Sequence, residues 1–454
     1  MALTKATYSM IDGPVGSVKD FGALGDGTDQ TAAIQAAVNA ICAADGILLF
    51  PPGNYRISAP ITFPDASFRV VGSGPTETSV AQVVGGSNIN LFDFSNVNGP
   101  STFVEAMGFF GPAPGSYGLA GIYLNASNGV CIQDCWFGGM ATGVQKTNTS
   151  SFVRVLNCTF EYCFEAINFN DAVECIVDGT TFYKNTNDYV LSNFCQASIF
   201  TNSTHLETVI KCLVLDGVTD AIIENITCWQ DATTHTPVII EMTNGCERNI
   251  IRNIKSLNYG FKLISMVANE NNTNNIFDGL MFNVSGSPPS GTGINAIEIG
   301  VTNQNNIFSN FNFSGLGIAV VDAAGSNKFR NGIIANSTTA GIRVQSTTSV
   351  PPYDSEFVGI KFVNNVSDWD TLGTVSTVWL SDIDGTLSGF TPTRYGTYGA
   401  GTKGRLFYGT AIPTTLPYLL GDRVLNINPV VGQPKAWVCT VAGTPGTWVS
   451  EGNL

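Results

Sequence analysis

A short pattern of apolar and polar positions recurs through the middle of the chain. Each copy has an apolar residue, a turn-forming residue two positions later, and then apolar residues at every second position. The copies start at Ile132, Val155, Ile176, Phe200, Ile223, Ile251, Phe277, Phe308, Phe329, Phe357 and Trp379. Successive starts are 21 to 31 residues apart, which is the length of one coil of a solenoid.

The turn-forming column indicates which kind of solenoid this is. Its members are Asp134, Asn157, Asp178, Asn202, Asn225, Asn253, Gly279, Asn310, Asn331, Gly359 and Ser381. Most are residue types that tolerate the left-handed backbone or hydrogen-bond their own turn, so the column predicts a bend between two short strands. A third apolar strand follows in most coils, as in "GIAVVD". The pattern predicts an all-β chain, a right-handed parallel β-helix over residues 21–390. Leucine-rich repeats are excluded because Leu is missing at fixed positions.

The segment before the repeats predicts a cap for the open end of the β-helix. A helix is expected over residues 30–43, with Thr28 or Asp29 as its N-cap. Its apolar stripe consists of Ile34, Val38 and Ile41. The following "ILLFPPGNYRIS" predicts a strand, a turn and a second strand. Such a helix covers main-chain groups that would otherwise template aggregation.

Composition limits the classes of function. The chain has 454 residues, a net charge of −14 and only 12% charged residues, which argues for a folded body and against a nucleic-acid partner. No window predicts membrane insertion, and the N-terminus lacks the apolar core of a signal peptide, so we expect synthesis in a cytoplasm. The eleven cysteines lack zinc-site spacing. We expect them to be buried free thiols, with no metal and no cofactor.

Three segments resemble parts of a known family of proteins. The run "VKDFGALGDGTDQTAAIQAAV" followed by "FPPGNYRIS", within Val18 to Ser58, is similar to the opening motif of the pectate-lyase-like β-helix superfamily, in the form common in bacteriophage tailspikes and polysaccharide depolymerases. The lead-in, residues 1–20, resembles that of phage tail proteins. After a linker at 391–404, residues 405–454 resemble a small C-terminal β module, expected to close a trimer or bind glycan.

The resemblance implies an elongated homotrimer attached to phage tail proteins and located in the virion tail. Such proteins recognise and usually cleave a bacterial surface polysaccharide, such as capsule or O-antigen. Three functions remain open. Endo-glycosidic hydrolysis is favoured, polysaccharide lyase activity by β-elimination is the second, and a non-catalytic receptor-binding fibre or adhesin is the third.

Outward positions of successive coils carry the candidate chemistry. Glu161, Tyr183, Glu207 and Trp229 are predicted at the same point of four coils, with Asp231 and His235 close behind. Coils stack about 4.8 Å apart, so their carboxylates can flank a glycosidic bond. We therefore assign Glu207 as general acid, Asp231 as its partner and Glu161 as the reserve. Trp229, Tyr183 and His235 are assigned to sugar binding. An ordinary solvated face with Trp229 at a trimer contact is the alternative.

A second outward column has alternating charge. It consists of Glu241, Lys262, Glu298 and, further along, Arg343. Such a row is usually a set of surface salt bridges. Its cations would matter for catalysis only if the substrate were an acidic glycan.

Overall fold

Consecutive coils of the chain stack in parallel, each hydrogen-bonded to the one before and the one after. The computed structural model describes residues 13–83, 88–95, 97–99, 101–111, 118–193, 195–230, 238–257, 262–283, 295–345, 355–372, 378–381, 394–395, 406–414, 418 and 420–454. The fold is all-β, a right-handed parallel β-helix of about 12 turns, as predicted.

A 25-stranded sheet contains two parallel ladders joined by the bend. The first ladder contains Val15–Ser17, Ile47–Phe50, Arg69–Gly72, Thr102–Glu105, Val130–Gln133, Arg154–Leu156, Ile176–Asp178, Ile199–Thr201, Ile307–Ser309, Val378–Ser381 and Arg394–Tyr395. The second contains Asp26–Asp29, Gly53–Ile57, Thr78–Gln82, Gly108–Phe110, Trp136–Gly138, Thr159–Glu161, Thr181–Tyr183, Thr204–Leu206 and Asn312–Ser314. Long strands that run through the bend belong to both: Ile222–Trp229, Ile250–Leu257, Ile276–Asn283, Lys328–Ala335 and Ser355–Val363.

A 13-stranded parallel sheet closes the other side of the coil. Its strands are Ile61–Thr62, Phe92–Asp93, Gly118–Asn125, Met140–Thr147, Glu165–Asn170, Asn187–Ser192, Lys211–Asp216, Val238–Thr243, Lys262–Met266, Asn295–Ile299, Ile318–Asp322, Ala340–Gln345 and Trp369–Leu372. A further pair joins Ser150–Ser151 to Ala172–Val173. A separate four-stranded sheet consists of Leu406–Gly409, Arg423–Asn426, Ala436–Val441 and Thr447–Ser450.

The predicted bend column adopts the left-handed backbone. Positive φ angles occur at Asp134, Asn157, Gly179, Asn202, Asn225, Asn253, Gly279, Asn310, Asn331 and Gly359. The prediction was wrong by one position in two coils. Gly179, not Asp178, makes the third bend, because Val177 faces the core there. Leu380 pairs with Phe357, so Ser381 lies inside its strand, one position before the expected bend.

Within the core, side chains of the same or similar type stack on one another in successive coils. Phe109, Phe137, Phe160, Phe182 and His205 stack at centroid distances of 4.6 to 5.5 Å. Phe277, Phe308, Phe329 and Phe357 form a second stack at 4.5 to 4.9 Å. Buried asparagines form a ladder at a corner, in which each side chain bonds the main chain of the neighbouring coil: Asn249, Asn275, Asn306 and Asn327. These repeats hold neighbouring coils in register.

The predicted capping helix is present over Thr31–Ile41, and it buries the expected apolar stripe. Its N-cap is Gln30, not Thr28 or Asp29, because those two residues belong to the strand Asp26–Asp29. Short 3-10 turns lie at Val18–Phe21 and Cys42–Ala44. The Gln35 amide exchanges hydrogen bonds of 2.8 and 2.9 Å with the main chain of Thr62. Thr62 lies on the edge strand of the 13-stranded sheet, so the helix side chain covers that edge.

Several smaller expectations have a structural outcome. All eleven cysteines are free and buried, as predicted. No helix among the described residues is long and apolar enough to cross a bilayer. Arg394–Tyr395 pairs with the preceding strand, so the long sheet extends into the predicted linker. In the C-terminal sheet Trp437 is buried, whereas Trp448 packs edge-on against Tyr418 at 5.1 Å.

Candidate functional site

The ends of the second-ladder strands form one continuous outer surface. Glu161 pairs in register with Tyr183, Tyr183 with Leu206, and Leu206 with Trp229. In the first three of these coils the residue after the strand end makes the following bend; these residues are Tyr162, Lys184 and Glu207. We call this surface the Glu161 face, and it comprises Glu161, Tyr162, Tyr183, Lys184, Leu206, Glu207 and Trp229.

Glu207 does not occupy the predicted column. Leu206 stands in register with Tyr183, and Glu207 follows it with a left-handed φ of 52°. Tyr162 and Lys184 have the same conformation, with φ of 52° and 51°. The prediction was wrong because it counted one residue too far from the bend at Asn202. In each of these coils the column residue lies four residues after the bend, and in this coil that residue is Leu206. Glu207 therefore belongs to a corner column with Tyr162 and Lys184, beside the column of Glu161.

Glu161 lies in an apolar part of the face. Its Cγ borders Gly138, and a Cβ on that glycine would lie 2.9 Å from the Phe110 ring. Phe110 in turn packs against Trp136 with centroids 5.8 Å apart. Glu161 is only partly exposed, and burial raises the pKa of its carboxyl. Within the described residues it makes no ion pair, so a proton is held there more readily than on an ordinary surface glutamate.

Glu207 has the opposite surroundings. The Lys184 ammonium lies 3.4 Å from its Oε2 and 4.9 Å from the centre of the Tyr183 ring. Tyr183 meets Tyr162 edge-on at 5.8 Å. The Tyr183 hydroxyl and the Glu207 carboxylate raise the pKa of Lys184, so Lys184 remains a cation. Glu207 thus has a cation as its direct neighbour.

The face therefore offers two carboxyl groups in contrasting environments. Glu161 and Glu207 belong to coils separated by one intervening coil, which corresponds to a backbone separation of roughly 10 Å. Tyr183 lies on the coil between them. A desolvated carboxyl and a paired carboxylate on nearby coils can act as an acid and a base on opposite sides of a glycosidic bond.

The remaining predicted site residues separate into two groups. Trp229 ends the register column and is partly exposed. Asp231 and His235 lie outside the described residues, so their roles as catalytic partner and sugar ligand stay predictions. The assignment of catalytic roles among Glu207, Asp231 and Glu161 also stays a prediction.

The second outward column is a row of salt bridges, as its charge pattern suggested. Glu241 pairs with Lys211 at 2.5 Å, and Glu298 pairs with Lys262 at 2.6 Å. Arg343 stands in the same register column but pairs with Asp370 at 2.5 Å. Lys262 lies in a neighbouring column, since Ser265 is the residue in register with Glu241 and Glu298. Glu241 and Glu298 thus each already have a cation as partner.

A polar cluster inside the β-helix was missed by sequence analysis. His205 occupies a phenylalanine position of the core stack, and its Nδ1 lies 2.8 Å from Asp188 Oδ2. Ser203 Oγ lies 3.1 Å from Nε2 of the same ring. Burial lowers the pKa of His205, but bonds to Asp188 and Cys212 outweigh it and raise the pKa to about 9. The signal in the sequence was a histidine at an inward position.

A cleft at a corner of the 13-stranded sheet was also missed. It encloses about 500 Å³ and is lined by Asn193, Asp216, Gly217, Asn244, Gly245, Asn269, Glu270 and Asn271. Asn244 donates to Asp216 through its side chain and to Glu270 Oε2 through its main-chain N–H, the latter at 3.0 Å. The asparagine therefore satisfies both acidic side chains, and no aromatic ring lines the cleft.

Comparisons of sequence give partial matches. A family model described as rhamnogalacturonase A/epimerase, pectate lyase-like, matches residues 15–114. Two mannuronan C5-epimerases of Azotobacter vinelandii are similar over about a third of the chain. AlgE6 is 37% identical over 138 residues, and AlgE1 is 35% identical over 137. Each match covers 28% of this chain, but only 14% of AlgE6 and 9% of AlgE1.

Comparisons of structure extend over most of the chain. The Agl-KA catalytic domain has a TM-score of 0.56 at 13% identity, covering 82% of this chain and 68% of that one. The catalytic domain of a GH87 alpha-1,3-glucanase in complex with nigerose has a TM-score of 0.52 at 15% identity, covering 83% and 70%. At such identities these likenesses show the fold. Together with the match at residues 15–114, they support the resemblance to the pectate-lyase-like superfamily.

Proposed function

We propose that this protein binds a polysaccharide across the Glu161 face and cleaves it by endo-acting hydrolysis. The observation that carries the proposal is the pair Glu161 and Glu207, one carboxyl desolvated and the other beside Lys184. Glu161 donates its proton to the glycosidic oxygen as that bond breaks. Glu207 accepts a proton from a water molecule as the water oxygen bonds to the sugar carbon. The proposal thus makes Glu207 the base instead of the general acid of the sequence-based assignment, and makes Glu161, the reserve there, the general acid.

The aromatic residues of the face supply the binding surface. Tyr162 is about half exposed, and Tyr183 and Trp229 are partly exposed. Aromatic rings contact the C–H faces of sugars while their polar tips reach hydroxyl groups. Tyr183 lies between the two acidic coils, so we place the ring of the cleaved sugar against it. Trp229 would then hold a sugar further along the chain, consistent with an endo-acting enzyme.

The biological setting in the proposal rests on the resemblance of the opening motif. We propose a phage tailspike, homotrimeric and attached to tail proteins in the virion tail, whose substrate is a bacterial capsule, O-antigen or exopolysaccharide. The fold likeness to alpha-1,3-glucanases and the sequence likeness to mannuronan C5-epimerases both favour a polysaccharide substrate. Light scattering tests the trimer, and a monomer mass at micromolar concentration would contradict it.

A lyase is the second candidate, because curated relatives are named mannuronan C5-epimerases. Epimerisation and β-elimination on a uronic acid both begin with removal of the proton on the carbon that bears the carboxylate. Lys184 beside Tyr183 could neutralise such a substrate carboxylate. This chemistry would leave an unsaturated sugar at the cleaved end, whereas an adhesin would release no product.

The deciding experiment uses a panel of purified bacterial polysaccharides. Release of oligosaccharides with new reducing ends and no ultraviolet absorbance indicates hydrolysis, and absorbance from an unsaturated sugar indicates the lyase. With the substrate found, Glu161→Gln and Glu207→Gln should each lower turnover at least about a hundredfold. Glu241→Gln, on the salt-bridged 13-stranded sheet, is the matched control and should keep turnover.

Two results would contradict this assignment. If Glu161→Gln and Glu207→Gln turn over normally while Glu241→Gln fails, the site lies on the other sheet. An ordinary glutamic acid has a pKa of about 4.3. If activity shows no decline at any pH above this value, Glu161 does not act as a protonated acid. The raised pKa of Glu161 predicts an active range that extends above that value.

A further inference from the structure

Three potential metal ligands meet inside the β-helix, away from the Glu161 face. Ligand atoms of Asp188, His205 and Cys212 all lie within 4.8 Å of one another. Each of the three residues is buried, with at most 2% of its surface exposed. They are separated along the chain, so no short motif marks them in the sequence. The parallel coils bring them to one corner, next to the aromatic stack.

The groups around these residues resemble the outer shell of a metal site. Ser203 Oγ lies 3.1 Å from His205 Nε2, which leaves Nδ1 directed at the cluster. Asn185 Nδ2 donates to the second oxygen of Asp188 at 3.0 Å. Such contacts fix the ring orientation and the carboxylate orientation of ligands in metalloproteins. His205 Nδ1 and Asp188 Oδ2 lie 2.8 Å apart, and the Thr208 hydroxyl donates to the same oxygen, so a bound ion would replace these two hydrogen bonds.

A fourth donor lies on the adjacent coil. Cys228 is in register with His205, and both side chains are buried. One imidazole, one carboxylate and two cysteine sulfurs match the ligand types and the number that a structural zinc ion takes. The expectation of no zinc site came from spacing along the chain, which does not report on neighbours across coils.

We propose that Asp188, His205 and Cys212 bind one divalent cation of the zinc class, with Cys228 as the fourth ligand. Binding uses neutral imidazole and two thiolates, so the His205 ring and the thiols of Cys212 and Cys228 release their protons to solvent as their bonds to the metal form. The cation offsets two of the three negative charges of Asp188, Cys212 and Cys228, and the Asp188 carboxylate keeps its hydrogen bond from Asn185. The site is structural, because no donor reaches the outer surface.

The same side chains could be taken for a Ser–His–Asp triad, since Ser203, His205 and Asp188 form a hydrogen-bonded chain. Ser203 is 6% exposed and points into the core, so a polysaccharide does not reach its hydroxyl. A nucleophile there would have no substrate. A small ion incorporated during folding has no such requirement.

The test measures metal in the full-length protein. Protein produced with zinc in the medium is treated with a chelator to remove surface ions and is analysed by mass spectrometry of the metal. We expect about one zinc per chain, reduced at least tenfold in His205→Gln and Cys212→Ser. The control is Cys135→Ser, which alters another buried free thiol, one that donates to main-chain carbonyls and lies outside the cluster.

A second measurement keeps the proposal testable if the variants do not fold. The wild-type protein refolded with cobalt(II) should show a strong near-ultraviolet absorption from thiolate-to-cobalt charge transfer, and a higher thermal midpoint than metal-free protein. Three results would overturn the proposal: less than a tenth of a zinc per chain, equal zinc in wild type and Cys212→Ser, or cobalt protein without a thiolate band. None of these measurements depends on polysaccharide cleavage.

Discussion

Removing one amide from the buried asparagine ladder should destabilise the β-helix strongly. The Asn275 side chain is fully buried and makes four hydrogen bonds of 3.0 Å. Its oxygen accepts from the main chain and side chain of Asn249, and its nitrogen donates to Cys246 O and Asn306 Oδ1. In Asn275→Ala the main-chain N–H of Asn249 loses its acceptor, and three other groups lose one of two partners.

The expected cost follows from these contacts. A buried donor left unpaired costs about 1–3 kcal/mol, and each of the other lost bonds contributes about 0.5–1 kcal/mol. We therefore expect Asn275→Ala to lose about 3–5 kcal/mol of unfolding free energy. The control is Asn225→Gly. Asn225 makes ladder bonds of 3.1 Å on the exposed side, and glycine keeps its φ of 58° without strain, so its loss should stay below about 1 kcal/mol.

Unfolding rates in urea, followed by tryptophan fluorescence, provide the assay, since long repeat proteins do not always unfold in two states. If the ladder bonds are broken in the transition state, a loss of 4 kcal/mol speeds unfolding by up to about a thousandfold. Circular dichroism before unfolding checks that both variants contain the β-helix. Equal rates for Asn275→Ala and Asn225→Gly would refute the argument that burial makes this ladder expensive to break.

Three further substitutions test other parts of the packing. Gly332→Ala should cost about 1–3 kcal/mol, because a Cβ there would lie 2.0 Å from the Phe311 ring; an unchanged thermal midpoint would contradict this. Lys146→Met should lower the urea midpoint by the equivalent of about 2–4 kcal/mol, since the Lys146 ammonium donates to three main-chain carbonyls at 2.6 Å; equal midpoints would show that those carbonyls find other donors. Burial raises the pKa of Asp322 above its ordinary 3.8, so its proton stabilises the folded state at low pH and that stability is lost as the pH rises through the folded pKa. Between about pH 4 and neutrality, the unfolding free energy of Asp322→Asn should fall less than that of the wild type. Parallel curves of unfolding free energy against pH would contradict a buried carboxyl with a raised pKa.

The pattern along the sequence determined the architecture because each of its elements is local. A left-handed bend needs Asn, Asp or Gly at one position, and a strand with one buried face needs alternation. Both requirements appear within a few residues and repeat once per coil. The helix stripe of Ile34, Val38 and Ile41 was predicted for the same reason. The free, buried cysteines followed from their apolar neighbours.

Register and assembly across coils were decided only by the tertiary structure. In the coil of Ile176 and Val177 either residue could start the repeat, and packing against the core selected Val177. That choice moved the bend to Gly179 and put Tyr183 in register with Glu161. In the next coil, whose bend is at Asn202, the residue in that column is Leu206, not Glu207. A slip of one residue changes the direction of a side chain because strands alternate with period two. The different surroundings of Glu161 and Glu207 arise from contacts between coils. The cluster of Asp188, His205 and Cys212 also forms between coils, where separation along the chain does not indicate distance in space.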